Sequence, residues 1–380
     1  VQAQLEETQS QLLNTQSQLQ ETLDQLTELK EQLNKPEETD YVQICYDKIK
    51  YMDKTVKDRD CIAGEQFTYA QKWITFTLMN AGYTVETQPV SFQRRITIDT
   101  LDNAVSKCEV DTYYKREGRN YVEVESKDEA THALTTITSN NIIVKKQGKS
   151  DKQIIVGAHY DGDGTGDNGS GVSLALTMAE KLANVETPNT IVFVFFTAEE
   201  YGCHGSTTYA NAMTDEEVAK TLYMINMDSL ICGDYTYLYG GVQDDETQTV
   251  SKTGAFDNAM AVAKELGLEF KKNPWTYAQP APGYEAPDYA SPSTGDWSDH
   301  VGFKERGIMY VYFEATNWEI PGPYEEYDGY GETYLVGMLM NTANDYLDYI
   351  EKYFPGRPVQ HLQKFYTLLN ALLLQTDVNL

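Results

Sequence analysis

The sequence predicts an α/β fold, a three-layer sandwich with a mostly parallel central sheet, preceded by an N-terminal coiled-coil-like helix. Short apolar runs alternate along the chain with stretches of helical spacing, which is the pattern of strand–helix units on a parallel sheet. One run, Ile191–Phe196, is apolar throughout, as expected of a strand buried on both faces. The start of the chain is different. There Leu5, Leu12, Leu19, Leu26 and Leu33 recur at every seventh residue, the period of a coiled coil.

The first 36 residues read as a separate spacer helix. The block TQSQL at Thr8 returns at Thr15, so the repeat is literal. Its second core position is poor, with Thr8, Thr15 and Thr22 or Gln9 and Gln16, so weak homo-oligomerisation or a solvated single helix is expected. Pro36 stops it. A globular domain follows over 37–356, and a C-terminal helical tail over 357–380. Within the domain, helical spacing runs from Glu65 to Ala81 and stops at Gly82. Strands are expected over 83–92, 142–144, 154–158, 191–196, 221–227 and 308–313, and helices over 172–182, 254–266 and 334–350. Two stretches rich in Pro, Gly and Tyr, 273–296 and 318–331, read as long loops. Aromatic residues in them, over 275–289 and 318–330, are candidates for a pocket wall. The apolar tail after Arg357 is expected to dock on the body or on a neighbouring chain.

Composition narrows the function. Asp and Glu number 58 against 30 Lys and Arg, a formal charge of −28, and such a field repels nucleic-acid backbones. No apolar run approaches the roughly 18 residues of a membrane span. The five cysteines show no C-x-x-C spacing. Cys203 and Cys232 each closely follow a candidate ligand, so a disulfide between them and a set of free thiols both stay open. Val1 opens a stretch with no signal-peptide pattern, and either a removed leader or an anchoring segment outside this stretch is expected.

Three predicted strands run directly into metal-binding residue types. Ile154–Ala158 leads to His159 and Asp161, Ile191–Phe196 to Glu199 and Glu200, and Thr221–Met227 to Asp228. Sites in open α/β sheets lie at the carboxyl ends of the strands, so these groups converge. Asp167, in a glycine-rich turn before the helix at 172, can reach the same edge.

These segments resemble the zinc aminopeptidase family with two co-catalytic metals, peptidase family M28. The matching motifs are GAHYDG at Gly157–Gly162, GDNGSG at Gly166–Gly171, TAEEYGCHGS at Thr197–Ser206, NMDS at Asn226–Ser229 and SDHVGF at Ser298–Phe303. They cover roughly Tyr41 to Phe354. The resemblance implies two Zn²⁺, one held by His159 and Asp228 and the other by Glu200 and His300. Asp167 is then the bridge, through a cis bond to Asn168. It implies Glu199 as general base to a zinc-bridging hydroxide, and Asp161 as hydrogen-bond partner of the far nitrogen of His159. Asp299 is a further candidate behind the ligands. His204, where the family usually has an aliphatic residue, reads as structural.

Peptide substrates and N-terminal cleavage are what the resemblance implies. Its alternatives are a carboxypeptidase or a glutaminyl cyclase-like relative on the same fold, and a non-catalytic surface module. An extracellular or cell-surface-anchored bacterial protein, tethered through its N-terminus, is expected.

Overall fold

A computed structural model of the chain describes residues 39–243, 250–273, 295–320 and 332–380. Two compact units are distinguished, Val1–Asp40 and Tyr41–Leu380. The leucine-period helix expected over 1–36 lies outside the described residues, as does most of the two expected loops.

The strands of the second unit's main sheet are β1 (Glu86–Thr97), β2 (Lys107–Glu117), β3 (Asn120–Val124), β4 (His132–Lys146), β5 (Ser150–His159), β6 (Asn189–Phe196), β7 (Thr221–Met227), β8 (Tyr235–Gly240) and β9 (Tyr310–Thr316). Its principal helices are α1 (Tyr41–Thr55), α2 (Phe67–Asn80), α3 (Gly169–Leu182), α4 (His204–Ala212), α5 (Gly254–Glu265), α6 (His300–Glu305), α7 (Leu347–Tyr353) and α8 (Arg357–Leu374). In the sheet, β6, β5, β7 and β9 lie side by side and parallel. Antiparallel strands extend this centre, β8 beyond β9 on one side and β4, β2 and β3 beyond β6 on the other. β1 pairs antiparallel with β4.

Period-two alternation explains the three layers. In β5, Ile154, Val156 and Ala158 join one core, while Ile155 joins the other. In β6, Ile191, Phe193 and Phe195 face the first core, and Val192, Val194 and Phe196 face the second. Successive side chains of a strand point to opposite faces, so a wholly apolar strand requires cover on both. Helices α1, α3, α5 and α8 contribute to the first core, and α4 and α6 to the second. The tail helix α8 buries Leu362, Phe365, Leu368, Leu369, Leu372 and Leu373, and it packs on α1 and α5. It is therefore part of the Tyr41–Leu380 unit.

One expected element does not form. Of the helix predicted over 334–350, only α7 is helical. The residues before it are bent into an irregular loop, with Gly337 at φ +77 and Asn341 at φ +58. Buried carboxylates hold that loop. Glu332 accepts the Met340 N–H (3.1 Å to Oε1), and Asp345 binds the turn at Gly166 and Asp167. These long-range bonds outweigh a local helical pattern. The sequence reading also passed over α1, α4, α6, β2, β3 and β8.

Candidate metal centre and its pocket

The centre lies at the carboxyl edge of the parallel strands. His159 ends β5, Asp228 follows β7, and Glu199 and Glu200 lie three and four residues beyond β6. The turn after β6 is tight, with Ala198 and Cys203 in the left-handed region (φ 55 and 54). His159 is 1% exposed. Its Nε2 is 3.1 Å from Asp167 Oδ1, 3.2 Å from Asp228 Oδ1 and 3.9 Å from Glu199 Oε2.

Asp167 reaches this point through a fixed turn. Its bond to Asn168 is cis. The Asn168 side chain caps α3 by accepting the Gly171 N–H (3.0 Å) and donates to the Met227 carbonyl (2.8 Å). Asp345 accepts the Gly166 and Asp167 N–H groups at 2.7 and 2.9 Å. Arg59 is wholly buried and donates to the Tyr160 and Gly164 carbonyls at 3.0 and 2.7 Å. It thus brings a buried cation close to the acidic turn. Gly162 is required by close approach, because the Glu200 carboxylate lies where its Cβ would stand and its φ is +96.

The predicted residues divide. His159, Asp167, Glu199, Glu200 and Asp228 come together. Among the described residues they form two donor groups that share the histidine, His159 with Glu199 and Asp228, and His159 with Asp167 and Glu200. The atoms of each group lie within 4.8 Å of one another. His300 belongs to neither. Its Nε2 is 2.9 Å from the Gly295 carbonyl, and its ring packs on Tyr310 and Tyr312 at 4.6 and 5.3 Å. The SDH segment reaches the centre through a neighbour instead, since Ser298 Oγ donates to Asp228 Oδ2 (2.7 Å). Asp161 lies 3.8 Å from His159 Nδ1, beyond a hydrogen bond, and accepts the Glu199 N–H (3.2 Å). It thus holds the Glu199 backbone rather than the imidazole. Cys203 and Cys232 are free thiols, not a disulfide, and Cys203 Sγ is 3.5 Å from Glu199 Oε1. His204 stacks on Phe92 (4.7 Å), a structural role.

Comparison with known proteins accords with this geometry. The model of Peptidase family M28 matches residues 141–334, just over half of the 380. The chain belongs to peptidase family M28. It is 31% identical over 245 residues to the alkaline phosphatase isozyme conversion protein of Escherichia coli (58% of this chain, 66% of that one). It is 29% identical over 229 residues to aminopeptidase YwaD of Bacillus subtilis (58% and 42%). The matched stretch thus spans less than two thirds of either relative. Two solved structures share the fold at 16% identity. They are BSAP, a zinc aminopeptidase from Bacillus subtilis (TM-score 0.55, covering 89% of this chain and 96% of that one), and Porphyromonas gingivalis glutaminyl cyclase (0.54, 88% and 99%).

The M28 centre of this chain fits zinc on its own chemistry. Imidazole nitrogen and carboxylate oxygens are zinc donors. Asp161 Oδ2 and His159 Nδ1 are buried without a hydrogen bond among the described residues, and Asp167 Oδ1 faces the His159 ring. Buried carboxylates so placed call for a cation. Their electrostatics say the same. Burial, with repulsion from Asp167, pushes the Glu200 carboxyl up to about 8. Burial pushes Asp161 up to about 6, and burial with repulsion from Asp228 and Asp161 pushes Asp299 up to about 7, despite the His159 charge nearby. Burial opposes charge on His159, but Asp228 and Glu199 carry its pKa well above the ordinary imidazole value. In front of the donors opens a cavity of about 620 Å³, walled in part by Trp297, Trp318, Tyr312 and Met340.

Sequence reasoning missed Arg59 and Asp345. Each is a lone charged residue far along the chain from its partners, and no local pattern marks it. Asp345→Ala leaves two buried N–H donors without a partner, at about 1–3 kcal/mol each. It also frees the Asp167 turn, so zinc affinity is expected to fall about 10- to 100-fold. Competition against a chelating dye measures this, and an unchanged affinity contradicts the role given to Asp345.

Proposed function

We propose that the chain is a metallo-aminopeptidase that removes N-terminal residues from peptides and carries two zinc ions. The observation that carries this is the cluster of one imidazole and four carboxylates, His159 with Asp167, Glu199, Glu200 and Asp228, beside a partly aromatic cavity. His159, Asp167, Glu200 and Asp228 would hold the metal. The similarity to aminopeptidase YwaD supports the exopeptidase reading. When bound, zinc supplies Lewis-acid polarisation of the scissile carbonyl and a lowered pKa for water.

The chain's own residues do the rest. Glu199 takes a proton from the attacking water and passes it to the leaving amine. Its backbone is fixed by Asp161 and its carboxylate faces the Cys203 thiol, so the base is aimed from two sides. Ser298 bonds Asp228 Oδ2 and receives the Asn226 amide (2.7 Å), which orients that ligand. The cavity receives the side chain of the residue to be removed and shields it from water.

Aminoacyl reporters decide the matter. The zinc-loaded protein is expected to hydrolyse them, to lose the activity on chelation and to regain it with zinc. Hydrolysis confined to N-acetylated peptides with a free C-terminus reverses the assignment. An extracellular or surface-held location is part of this reading and rests on the acidic balance and the leucine-period start. Fractionation of producing cells tests it.

A further inference from the structure

The cavity in front of the metal ligands contains an acid that the chemistry above does not use. Glu314 lies on β9 directly after Phe313, whose carbonyl accepts the Asp228 N–H (3.1 Å). Its side chain lines the cavity and the residue is 1% exposed. It accepts hydrogen bonds from the phenols of Tyr239 (2.5 Å) and Tyr312 (3.4 Å). The indole of Trp318 donates to the same Tyr239 oxygen (2.7 Å). Trp297 stands beside Trp318, ring centroids 5.9 Å apart, and both line the cavity.

Burial pushes the Glu314 carboxyl up to about 8, with Asp228 adding repulsion against the phenol hydrogen bonds. A carboxylate in such a wall is placed to meet a cation. Asp296 adds another carboxylate to the cavity lining. The chemistry of this wall is an acid set among indole and phenol faces. That combination suits a long cationic side chain. Guanidinium and ammonium groups pair with carboxylates and lie over aromatic rings, and their methylene stems cover apolar surface. A leucine side chain would leave the acid buried beside hydrocarbon.

We propose that this cavity selects a basic N-terminal residue, arginine or lysine, with Glu314 receiving its charge and Trp297 and Trp318 packing along its length. The assignment rests on the aminopeptidase reading and gives it a substrate class.

The test uses the full chain loaded with zinc. Binding of L-argininamide and L-leucinamide is measured by titration calorimetry, and turnover with arginyl, lysyl and leucyl reporters. The wild type is expected to bind argininamide at least about tenfold more tightly. Glu314→Gln is expected to lower the arginyl-to-leucyl ratio of kcat/KM by about 10- to 100-fold. Trp318→Leu is expected to move the ratio the same way, and the wild-type preference stands as a readout should Glu314→Gln not fold. Equal or tighter binding of leucinamide overturns the proposal. So does a Glu314→Gln enzyme that loses arginyl and leucyl turnover alike, since that outcome assigns Glu314 to the α-ammonium group common to all substrates. Selective, Glu314-dependent binding of argininamide without reporter hydrolysis upholds the pocket and sinks the aminopeptidase reading alone.

Discussion

Glu199→Gln is expected to lower kcat by about 10²- to 10⁴-fold, the range a positioned acid–base group contributes. The amide keeps the shape of the side chain and its contact with the Cys203 thiol, but it cannot take a proton. The structure makes the metal content of this variant as informative as its rate. Glu199 Oε2 lies 3.9 Å from His159 Nε2, and Glu199 belongs to one donor group with His159 and Asp228. It is therefore placed either to serve as base beside the metal or to bind the metal itself. A base predicts lost turnover with full zinc content and little change in KM. A ligand predicts loss of zinc together with activity. Near-wild-type turnover sinks both roles. Burial, with repulsion from Asp228 and Asp299, already holds this carboxyl well above its usual range despite the His159 charge.

Much of this centre was legible in the sequence, because the rule behind it is local. A strand buried on both faces announces itself as an apolar run, and the residue that follows it must stand at the sheet edge. His159, Glu199, Glu200 and Asp228 were found that way, and all four stand there. Asp167 was found from its glycine-rich turn. Residues that act across the fold were not legible. Asp345 lies 178 residues from the N–H of Asp167 that it binds, and Arg59 lies 105 from the Gly164 carbonyl. His300 shows the complementary error. Its motif reaches the centre, but Ser298 does so while the imidazole turns to Tyr310 and Tyr312. His300 was assigned from the family resemblance alone, and no strand end or turn in its own neighbourhood supported it. The lost helix over 334–350 has a different origin. Its apolar spacing is real, yet Glu332 and Asp345 draw the backbone into a loop at the cavity, where Met340 and Asn341 line it.

Chelation is expected to abolish hydrolysis and also to make the folded state sensitive to pH. With zinc removed, Asp167, Glu199, Glu200 and Asp228 face one another around a single imidazole. Asp161, Asp299 and Glu200 then titrate in the fold at about 6, 7 and 8. In the unfolded chain such groups titrate near 4. The folded metal-free protein therefore binds more protons than the unfolded chain between about pH 4 and pH 8. The contribution of these three groups to stability is fully present below that window and is lost as pH rises through it. Zinc reverses the trend at Glu200, because it binds the deprotonated carboxylate and competes with protons for it. At free zinc a thousandfold above Kd the gain is about 4 kcal/mol per site. The gap between the denaturation midpoints of zinc-loaded and chelated protein is thus expected to widen from pH 5 to pH 8, with two zinc ions per chain at saturation. A gap that stays constant with pH would mean that Glu200 does not hold the metal. A saturating content of one ion would overturn the two-zinc reading.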